Sequence, residues 1–211
     1  MPATTHKPDF DELARRIKRW GAEYGFQRVG IADTNLSEHE THLLNWLRQN
    51  RYGEMEYMAR YGKKRSRPSD LVPGTIRIIS VRLDYRPMNG AEPHEVLDSP
   101  ELGYVSRYAL GRDYHKLMRK KLQRLAERIQ TQIGPFGYRA FADSAPVLEK
   151  AIGAKAGLGW IGKHTNLLSR DAGSWFFLGE LYTDLPLPVD TKALNYCGTC
   201  RACSPITPAS P

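Results

Sequence analysis

Three cysteines, the only ones among the 211 residues, lie within the last fifteen positions of the chain. Cys197, Cys200 and Cys203 follow a C-x2-C-x2-C spacing. An odd number of cysteines, placed so close together, does not form a disulfide framework, so a hydrophobic core must stabilise the fold. Thiolates at this spacing can bind three irons of a [4Fe–4S] cluster. A zinc site would need a fourth ligand, and three free thiols are the remaining interpretation. The bacterial iron–sulfur run continues to a Cys-Pro pair where this chain has Thr207-Pro208.

The composition is that of a folded protein with one domain or two small ones. Hydrophobic residues make up 41% of the chain and charged residues 26%, which excludes a disordered segment. No apolar run approaches the ~18 residues of a membrane helix, and the first residues lack the apolar stretch of a secretory signal. We therefore expect a cytoplasmic protein with no membrane partner.

Hydrophobic periodicity and turn residues predict a mixture of helices and strands, and hence an α/β or α+β fold. The expected helices are 10–24, which Asp9 caps, 37–47, which Ser37 and Glu40 begin, 114–130 and 146–156. The expected strands are 27–31, 76–85, 138–143, 166–169 and 175–182, with a turn at 170–173 between the last two. Residues 86–103 have the composition of a loop.

The run Gly157-Leu-Gly159-Trp-Ile-Gly162 matches the G-x-G-x-x-G pattern of dinucleotide-binding sites. That pattern must follow a strand and begin a helix, whereas this run follows a predicted helix and leads into strand-like sequence. Lys163 does not complete a P-loop, because the spacing is wrong and His164 replaces the Ser or Thr. The glycines instead indicate a tight turn or a close approach of the backbone to a ligand.

Asp143 stands at the carboxyl end of a predicted strand, next to Ser144. Ligands and catalytic acids of α/β folds often lie at strand ends. A helix predicted at Pro146 gives the alternative, in which Asp143 is an N-cap. The residue alone does not decide between the two.

Basic residues are concentrated in one part of the chain. Residues 104–139 contain nine basic side chains against Asp113 and Glu127, a net +7 of the total +8. Tyrosines lie among them and among the basic residues of 60–67. This mixture is typical of surfaces that contact nucleic-acid phosphates and bases, although a solvated helix face gives a similar pattern.

Several segments together resemble the epoxyqueuosine reductase family, the cobalamin and iron–sulfur enzymes that complete the queuosine base of tRNA. They occur in the family's order and span nearly the whole chain. They are 53–60 (GEMEYMAR), 65–73 (RSRPSDLVP), 108–115 (YALGRDYH), Asp143 with the helix after it, 156–166 (AGLGWIGKHTN), 173–180 (GSWFFLGE) and the cysteine run.

The resemblance implies a nitroreductase-like sandwich that binds cobalamin, followed by the start of a ferredoxin-like module, and a related fold occurs in the cobalamin domain of reductive dehalogenases. Residues 1–190 would form the catalytic domain and residues 191–211 a truncated 4Fe–4S segment. The implied reaction is the reduction of epoxyqueuosine to queuosine at the wobble position of tRNA, the last step of queuosine biosynthesis. The chain would act as a monomer, with tRNA as its partner and an electron donor that the sequence does not name.

The resemblance also implies roles for individual residues. Asp143 aligns with the family's proton donor to the epoxide oxygen, and residues 157–162 with the backbone of the cobalamin pocket. Cys197, Cys200 and Cys203 match three ligands of the first [4Fe–4S] cluster. The positions that contact cobalamin in the family are Arg65, Ser106, Asp143, Leu167, Leu168, Ser169 and Leu178.

The departures concern the cluster. Thr207 replaces the fourth cysteine of the run, and the family's later cysteines are absent, so the ligand set is incomplete in this chain. We therefore expect cobalamin binding without turnover by the chain alone. A non-catalytic cobalamin- or tRNA-binding remnant is the alternative, and a flavin-dependent nitroreductase-like enzyme is a third.

Overall fold

The computed structural model describes residues 8–86 and 90–203, and it confirms a mixed helix and strand fold. The helices of the described residues are α1 Phe10–Glu23, α2 Ser37–Arg48, α3 Tyr57–Arg60, α4 Pro68–Leu71, α5 Pro93–Asp98, α6 Tyr114–Ile133 and α7 Glu149–Lys155. Their strands are β1 Arg28–Asp33, β2 Arg77–Asp84, β3 Tyr138–Phe141, β4 Trp160–Ile161, β5 Leu167–Leu168 and β6 Phe176–Thr183. No helix in this part of the chain has the length and apolar character of a membrane span.

Four strands form one antiparallel sheet in the order β1-β2-β6-β3, and β4 pairs with β5 in a separate ribbon. Helices cover both faces of the larger sheet, with α1 and α6 on one side and α7 on the other. Ile78 and Ile79 point to opposite faces, and both are fully buried. A strand covered on both faces needs no alternation of apolar and polar residues, which explains the break in the pattern of β2.

The long helix α6 was predicted by its periodicity, and the structure confirms it. Met118, Leu122, Leu125 and Ile129 recur at helical spacing and are all fully buried against the sheet. The helix α1 packs beside it, and the Asp9 carboxylate accepts hydrogen bonds from the backbone N–H groups of the first turn, as the sequence predicted.

One local prediction was wrong and two were confirmed. Residues 86–103 contain the helix α5, whose first residue is a proline, which is well tolerated at that position. Ser37 begins α2, as the sequence predicted, and Leu36 is its N-cap. The turn predicted at 170–173 is present, because Ser169 and Gly173 form an antiparallel bridge around it. The strands on its two sides have other partners, since β5 pairs with β4 while β6 pairs with β2 and β3.

Candidate active site

A cavity of about 390 Å³ lies where β6, α7 and the first turn of α6 meet, and we call it the acid pocket. Its polar and charged side chains come from several elements of the fold. The pocket is lined by residues that include Tyr108, Tyr114, Asp143, Glu149, Leu167 and Leu178.

Asp143 follows β3 with a left-handed backbone, φ 47°, which is uncommon for a residue other than glycine. Its Oδ2 accepts a hydrogen bond from the hydroxyl of Tyr114 and lies 3.1 Å from Nε2 of His115. Asp143 does not cap α7, whose N-cap is Leu148 without a side-chain hydrogen bond. The capping alternative is therefore wrong, and the carboxylate is directed to the start of α6 instead.

Tyr114 is fixed in the acid pocket by its neighbours. Its ring stacks on that of Phe177 with a centroid distance of 3.8 Å, and on the imidazole of His115 at 4.0 Å. Burial, the hydrogen bond to Asp143 and the charge of Asp143 raise the pKa of Tyr114 well above its ordinary value. The phenol therefore stays protonated and can donate to the Asp143 carboxylate.

Two further carboxyl groups lie behind Asp143. Burial, with the nearby charge of Asp143, raises the pKa of Glu149 to about 7. Glu180 of β6 is fully buried, and burial raises its pKa well above the usual range. Neither glutamate was predicted from the sequence to belong to the site. The available signal was a charged residue, Glu180, inside the otherwise apolar strand-like segment 175–182.

A second cavity of about 590 Å³ adjoins the acid pocket, because Glu149 and Lys150 line both. Arg65 lies on its wall, where the guanidinium is buried and donates to the carbonyl oxygens of Met58 at 3.1 Å and Tyr57 at 2.9 Å. The surface of this cavity is largely apolar, with α2 and α7 on opposite sides.

The remaining predicted contact residues are spread around the acid pocket. Leu167 and Leu178 line it, whereas Leu168 packs against the glycines of the 157–162 run. Ser169 is buried outside the pocket, where its hydroxyl accepts a hydrogen bond from Arg82. Ser106 is exposed and precedes the 3₁₀ turn that carries Tyr108 into the pocket.

The glycine run contacts the chain's own backbone. A Cβ on Gly159 would stand 2.1 Å from the carbonyl oxygen of Leu168, and one on Gly157 would stand 2.7 Å from that of Thr191. The run follows the helix α7 and contains the strand β4, so it lacks the strand-then-helix context that a dinucleotide site requires. The approach of Gly159 to Leu168 lies within the β4–β5 ribbon, and the assignment of residues 157–162 to the backbone of the cobalamin pocket stays a prediction.

The cysteine run is tied to the rest of the fold by two side chains. The indole N–H of Trp160 donates to Sγ of Cys197 at 3.3 Å, which lowers the pKa of that thiol. Lys163 donates to the carbonyl oxygens of Gly198 and Cys200 at 2.9 and 2.7 Å. Among residues 8–86 and 90–203, no group of three His, Cys, Asp or Glu side chains is placed to hold a metal ion.

The basic residues of α6 divide into two groups. Lys121 and Arg128 have structural partners, since they donate hydrogen bonds to the carbonyl of Tyr24 and to the carboxylate of Glu23. The others lie on the exposed face, and we call them the basic face. They are Lys116, Arg119, Lys120 and Arg124.

Comparison with known proteins identifies relatives of the chain. A sequence model described as "Epoxyqueuosine reductase QueG, DUF1730" matches residues 65–144. The chain is 62% identical over 204 residues to an epoxyqueuosine reductase of Pseudomonas aeruginosa, covering 96% of the chain and 56% of the relative. It is 57% identical over 208 residues to that of Xanthomonas campestris, covering 99% of the chain and 59% of the relative. The chain thus spans somewhat over half the length of these relatives.

Comparison with solved structures also finds epoxyqueuosine reductases. The fold matches epoxyqueuosine reductase of Streptococcus thermophilus with a TM-score of 0.79 and 26% identity, over 91% of this chain and 51% of that one. An epoxyqueuosine reductase solved with an epoxyqueuosine-modified tRNA stem loop matches with the same TM-score at 21% identity, over 91% and 50% of the chains. A reductive dehalogenase, described with a mechanism for B12-dependent dehalogenation, matches with a TM-score of 0.53 at 16% identity, over 90% and 21%. The chain belongs to the epoxyqueuosine reductase family.

Proposed function

We propose that the chain acts in the reduction of epoxyqueuosine to queuosine at the wobble position of tRNA. The observation that carries this proposal is Asp143, which lies on the wall of the acid pocket in a chain with 62% identity to an epoxyqueuosine reductase. Asp143 is the proton donor to the epoxide oxygen. Tyr114 and His115 hold its carboxyl group at the pocket, and its left-handed backbone directs it there.

The residues around the acid pocket fit a large cofactor with an extended apolar face, such as cobalamin. Tyr104, Val105, Tyr108 and Leu110 expose between 43% and 59% of their surface in one short segment at the pocket. An apolar patch of this kind is typical of a ligand-covered surface. Bound cobalamin supplies the electrons for the reduction. The chain's own residues bind it, exclude water and hold the proton.

We assign the cobalamin contacts to two groups of residues. Leu167, Leu178 and Asp143 face the acid pocket, and Arg65 faces the adjoining cavity, so these four lie at the two cavities. Ser106, Leu168 and Ser169 belong to the segments that border the pocket. In this proposal residues 1–190 are a nitroreductase-like, cobalamin-binding catalytic domain, and residues 191–211 begin a ferredoxin-like module.

Cys197, Cys200 and Cys203 supply three thiolate ligands to a [4Fe–4S] cluster in this proposal. The lowered pKa of Cys197 supports it, because the thiolate is the ligating form. Iron and acid-labile sulfide analysis of the anaerobically purified chain, with Cys197→Ser as comparison, tests it. Bound iron and sulfide that the variant loses support the assignment, and their absence from the unmodified chain contradicts it.

The tRNA is proposed to lie along the basic face, with its modified nucleoside in the acid pocket. Support comes from the position of the pocket at the first turn of the helix that carries this face. The four cations are exposed and can approach phosphate groups without losing a buried partner.

The experiment that tests the function is conversion of epoxyqueuosine-containing tRNA, followed by mass analysis of the released nucleosides. The reaction contains the chain, cobalamin and a low-potential reductant. The chain alone is not expected to turn over, but the added reductant takes the place of the incomplete cluster, so we expect queuosine from the unmodified chain in this reaction. We expect a loss of about 10²–10⁴-fold with Asp143→Asn, as for a general acid, and no loss with Asp11→Asn on the exposed first turn of α1. Equal rates for the two variants would contradict the role of Asp143.

A second candidate function is cobalamin and tRNA binding without catalysis. It is favoured by one observation, that the described residues contain no assembled group of three metal ligands. Absorbance spectra with added cobalamin separate the candidates from a flavin enzyme. A base-off cobalamin spectrum with no conversion of tRNA supports the binding protein, and a flavin spectrum on purification contradicts both.

A further inference from the structure

The reduction proposed above requires two protons, and Asp143 can carry only one. Both C–O bonds of the epoxide break, a C=C double bond forms, and the oxygen leaves as water. The balance is one epoxide, two electrons and two protons for one alkene and one water. The electrons come from a low-potential one-electron donor outside the chain. A second protonated group near Asp143 is therefore needed once the pocket is closed to solvent.

We infer that Glu149 and Glu180 hold protons in reserve behind Asp143, and that Glu149 passes the second proton to the leaving oxygen through Asp143. This inference rests on the proposed function. Neither glutamate touches the substrate, and both act through Asp143.

The position of Glu149 is suited to this task. It is the first residue of α7, it is partly buried, and it lines the same pocket as Asp143. The backbone amide of Asp143 stabilises the Glu149 carboxylate, so the two residues are direct neighbours. With its pKa raised to about 7, Glu149 holds a proton at neutral pH far more readily than an ordinary glutamate does. Covering the pocket with ligands removes more water and favours the neutral acid further.

Glu180 is the second glutamate of the proposed proton reserve, and it lies in the interior of the fold. It lies on the central strand β6, opposite Ser80 of β2 and Phe141 of β3, and is fully buried. Among the described residues, neither carboxyl oxygen has a hydrogen-bond partner, and the same holds for the hydroxyls of Ser80 and Tyr182. Unpartnered buried polar groups are rare and costly, and ionising one of them without a partner would cost more still. A carboxyl in such a place keeps its proton.

The surroundings of Glu149 determine how it titrates. Desolvation and the charge of Asp143 favour the protonated form of Glu149, whereas the backbone N–H of Asp143 and the charges of Lys150 and His115 favour the carboxylate. The charged and titratable groups that face it from the surrounding elements are Asp143, His115, Tyr114, Lys150, Glu180 and Tyr182, with His39, His42, Arg51 and Arg65 across the adjoining cavity.

Titration of the carboxyl groups tests whether Glu149 holds a proton near neutral pH, and it does not depend on enzymatic activity. We expect ¹³C NMR of the glutamate-labelled chain to contain one carboxyl with a midpoint near pH 7 that disappears in Glu149→Gln. In Asp143→Asn the same midpoint falls, because the neighbouring negative charge is gone. A resonance that titrates with ordinary solvent-exposed glutamates, or one that Asp143→Asn does not move, overturns the inference.

The pH dependence of turnover tests the proton supply. With epoxyqueuosine-containing tRNA, we expect Glu149→Gln to lower kcat by roughly tenfold below neutral pH, where Glu149 of the unmodified chain carries its proton. This loss is smaller than the 10²–10⁴-fold expected for the acid itself. The KM for tRNA stays unchanged, and the decline of kcat through pH 7 disappears. Glu180→Gln, which keeps the shape of the neutral acid, lowers kcat in the same direction. Glu12→Gln, on the exposed first turn of α1, serves as the matched control.

The outcomes separate the two proposals. An unmodified chain that converts tRNA, with Glu149→Gln unchanged in kcat and pH profile, overturns the proton reserve and leaves the proposed function intact. If the unmodified chain converts no tRNA, the proposed function is contradicted. The proton supply to that reaction is then contradicted as well, even if Glu149 titrates as expected.

Discussion

The hydroxyl of Tyr114 donates a hydrogen bond to Oδ2 of Asp143, joining the start of α6 to the turn after β3. The same oxygen lies 3.1 Å from Nε2 of His115, so two neighbouring residues of one helix hold a single carboxylate. Because Tyr114 and His115 also stack on each other, their positions are coupled. The N-terminal turn of α6 thus orients Asp143, the proton donor of the proposed reaction.

Replacing Asp143 is expected to change the ionisation of Tyr114. In Asp143→Asn the pKa of Tyr114 falls, because the hydrogen bond to a carboxylate and the negative charge are both removed, while burial keeps it above the ordinary tyrosine value. The measurement is tyrosinate absorbance against pH, with Tyr114→Phe identifying the transition. An unchanged titration in Asp143→Asn would contradict the contact, and Asp11→Asn is the control.

Parts of the fold followed directly from the sequence. The helix α6 was predictable because four apolar side chains at helical spacing, Met118 to Ile129, outweigh any local irregularity. The six-residue helix α5 was not, since its proline and acidic residues give the same local signal as a loop. The burial of Glu180 was also beyond prediction, because it depends on which helix covers β6 and not on neighbours in the sequence. Asp143 was found through its place at a strand end and through family resemblance, whereas Tyr114 required three-dimensional contacts.

The ion pair between Arg82 and Asp171 stabilises the segment that contains Ser169. The buried guanidinium donates to both carboxylate oxygens of Asp171 at 3.0 and 2.9 Å. We expect Asp171→Asn to lower the free energy of unfolding by about 1–2 kcal/mol, below the 3–5 kcal/mol of a fully buried pair because Asp171 is half exposed. Urea denaturation measures the difference.

This stabilisation depends on pH in a defined direction. Hydrogen bonds from Arg82 and Ser169 lower the pKa of Asp171 in the folded chain. A lowered pKa means that the contribution is fully present above the unfolded value of about 4 and is lost as the pH falls below it. The difference between the unmodified chain and Asp171→Asn should therefore shrink as the pH decreases from about 6 to about 3. A difference that stays constant over this range would contradict the ion pair as its source.

A methyl group at Gly159 is expected to disrupt the ribbon beside the acid pocket. The added Cβ would stand 2.1 Å from the backbone oxygen of Leu168, so β4 and β5 must separate. We expect Gly159→Ala to lower the free energy of unfolding by about 2–3 kcal/mol, as for overpacking against rigid neighbours. Gly103→Ala meets no atom within 4 Å and should change stability by less than about 1 kcal/mol. Equal effects of the two substitutions in urea denaturation would contradict the close approach.

The basic face is expected to control the salt dependence of tRNA binding. Replacing Arg119, Lys120 and Arg124 by Ala removes three exposed cations, so tRNA binds more weakly and fewer counterions are released on binding. The slope of log K against log salt should become shallower by about 2–3, at roughly 0.7–0.9 for each phosphate that is no longer neutralised. Lys121→Ala removes a cation that bonds to the Tyr24 carbonyl, and it should reduce stability with little change in that slope. Filter binding of tRNA at several salt concentrations measures both. An unchanged affinity and slope in the triple variant would remove α6 from the interface, and an equal slope change in Lys121→Ala would mean that general charge, and not this face, attracts the tRNA.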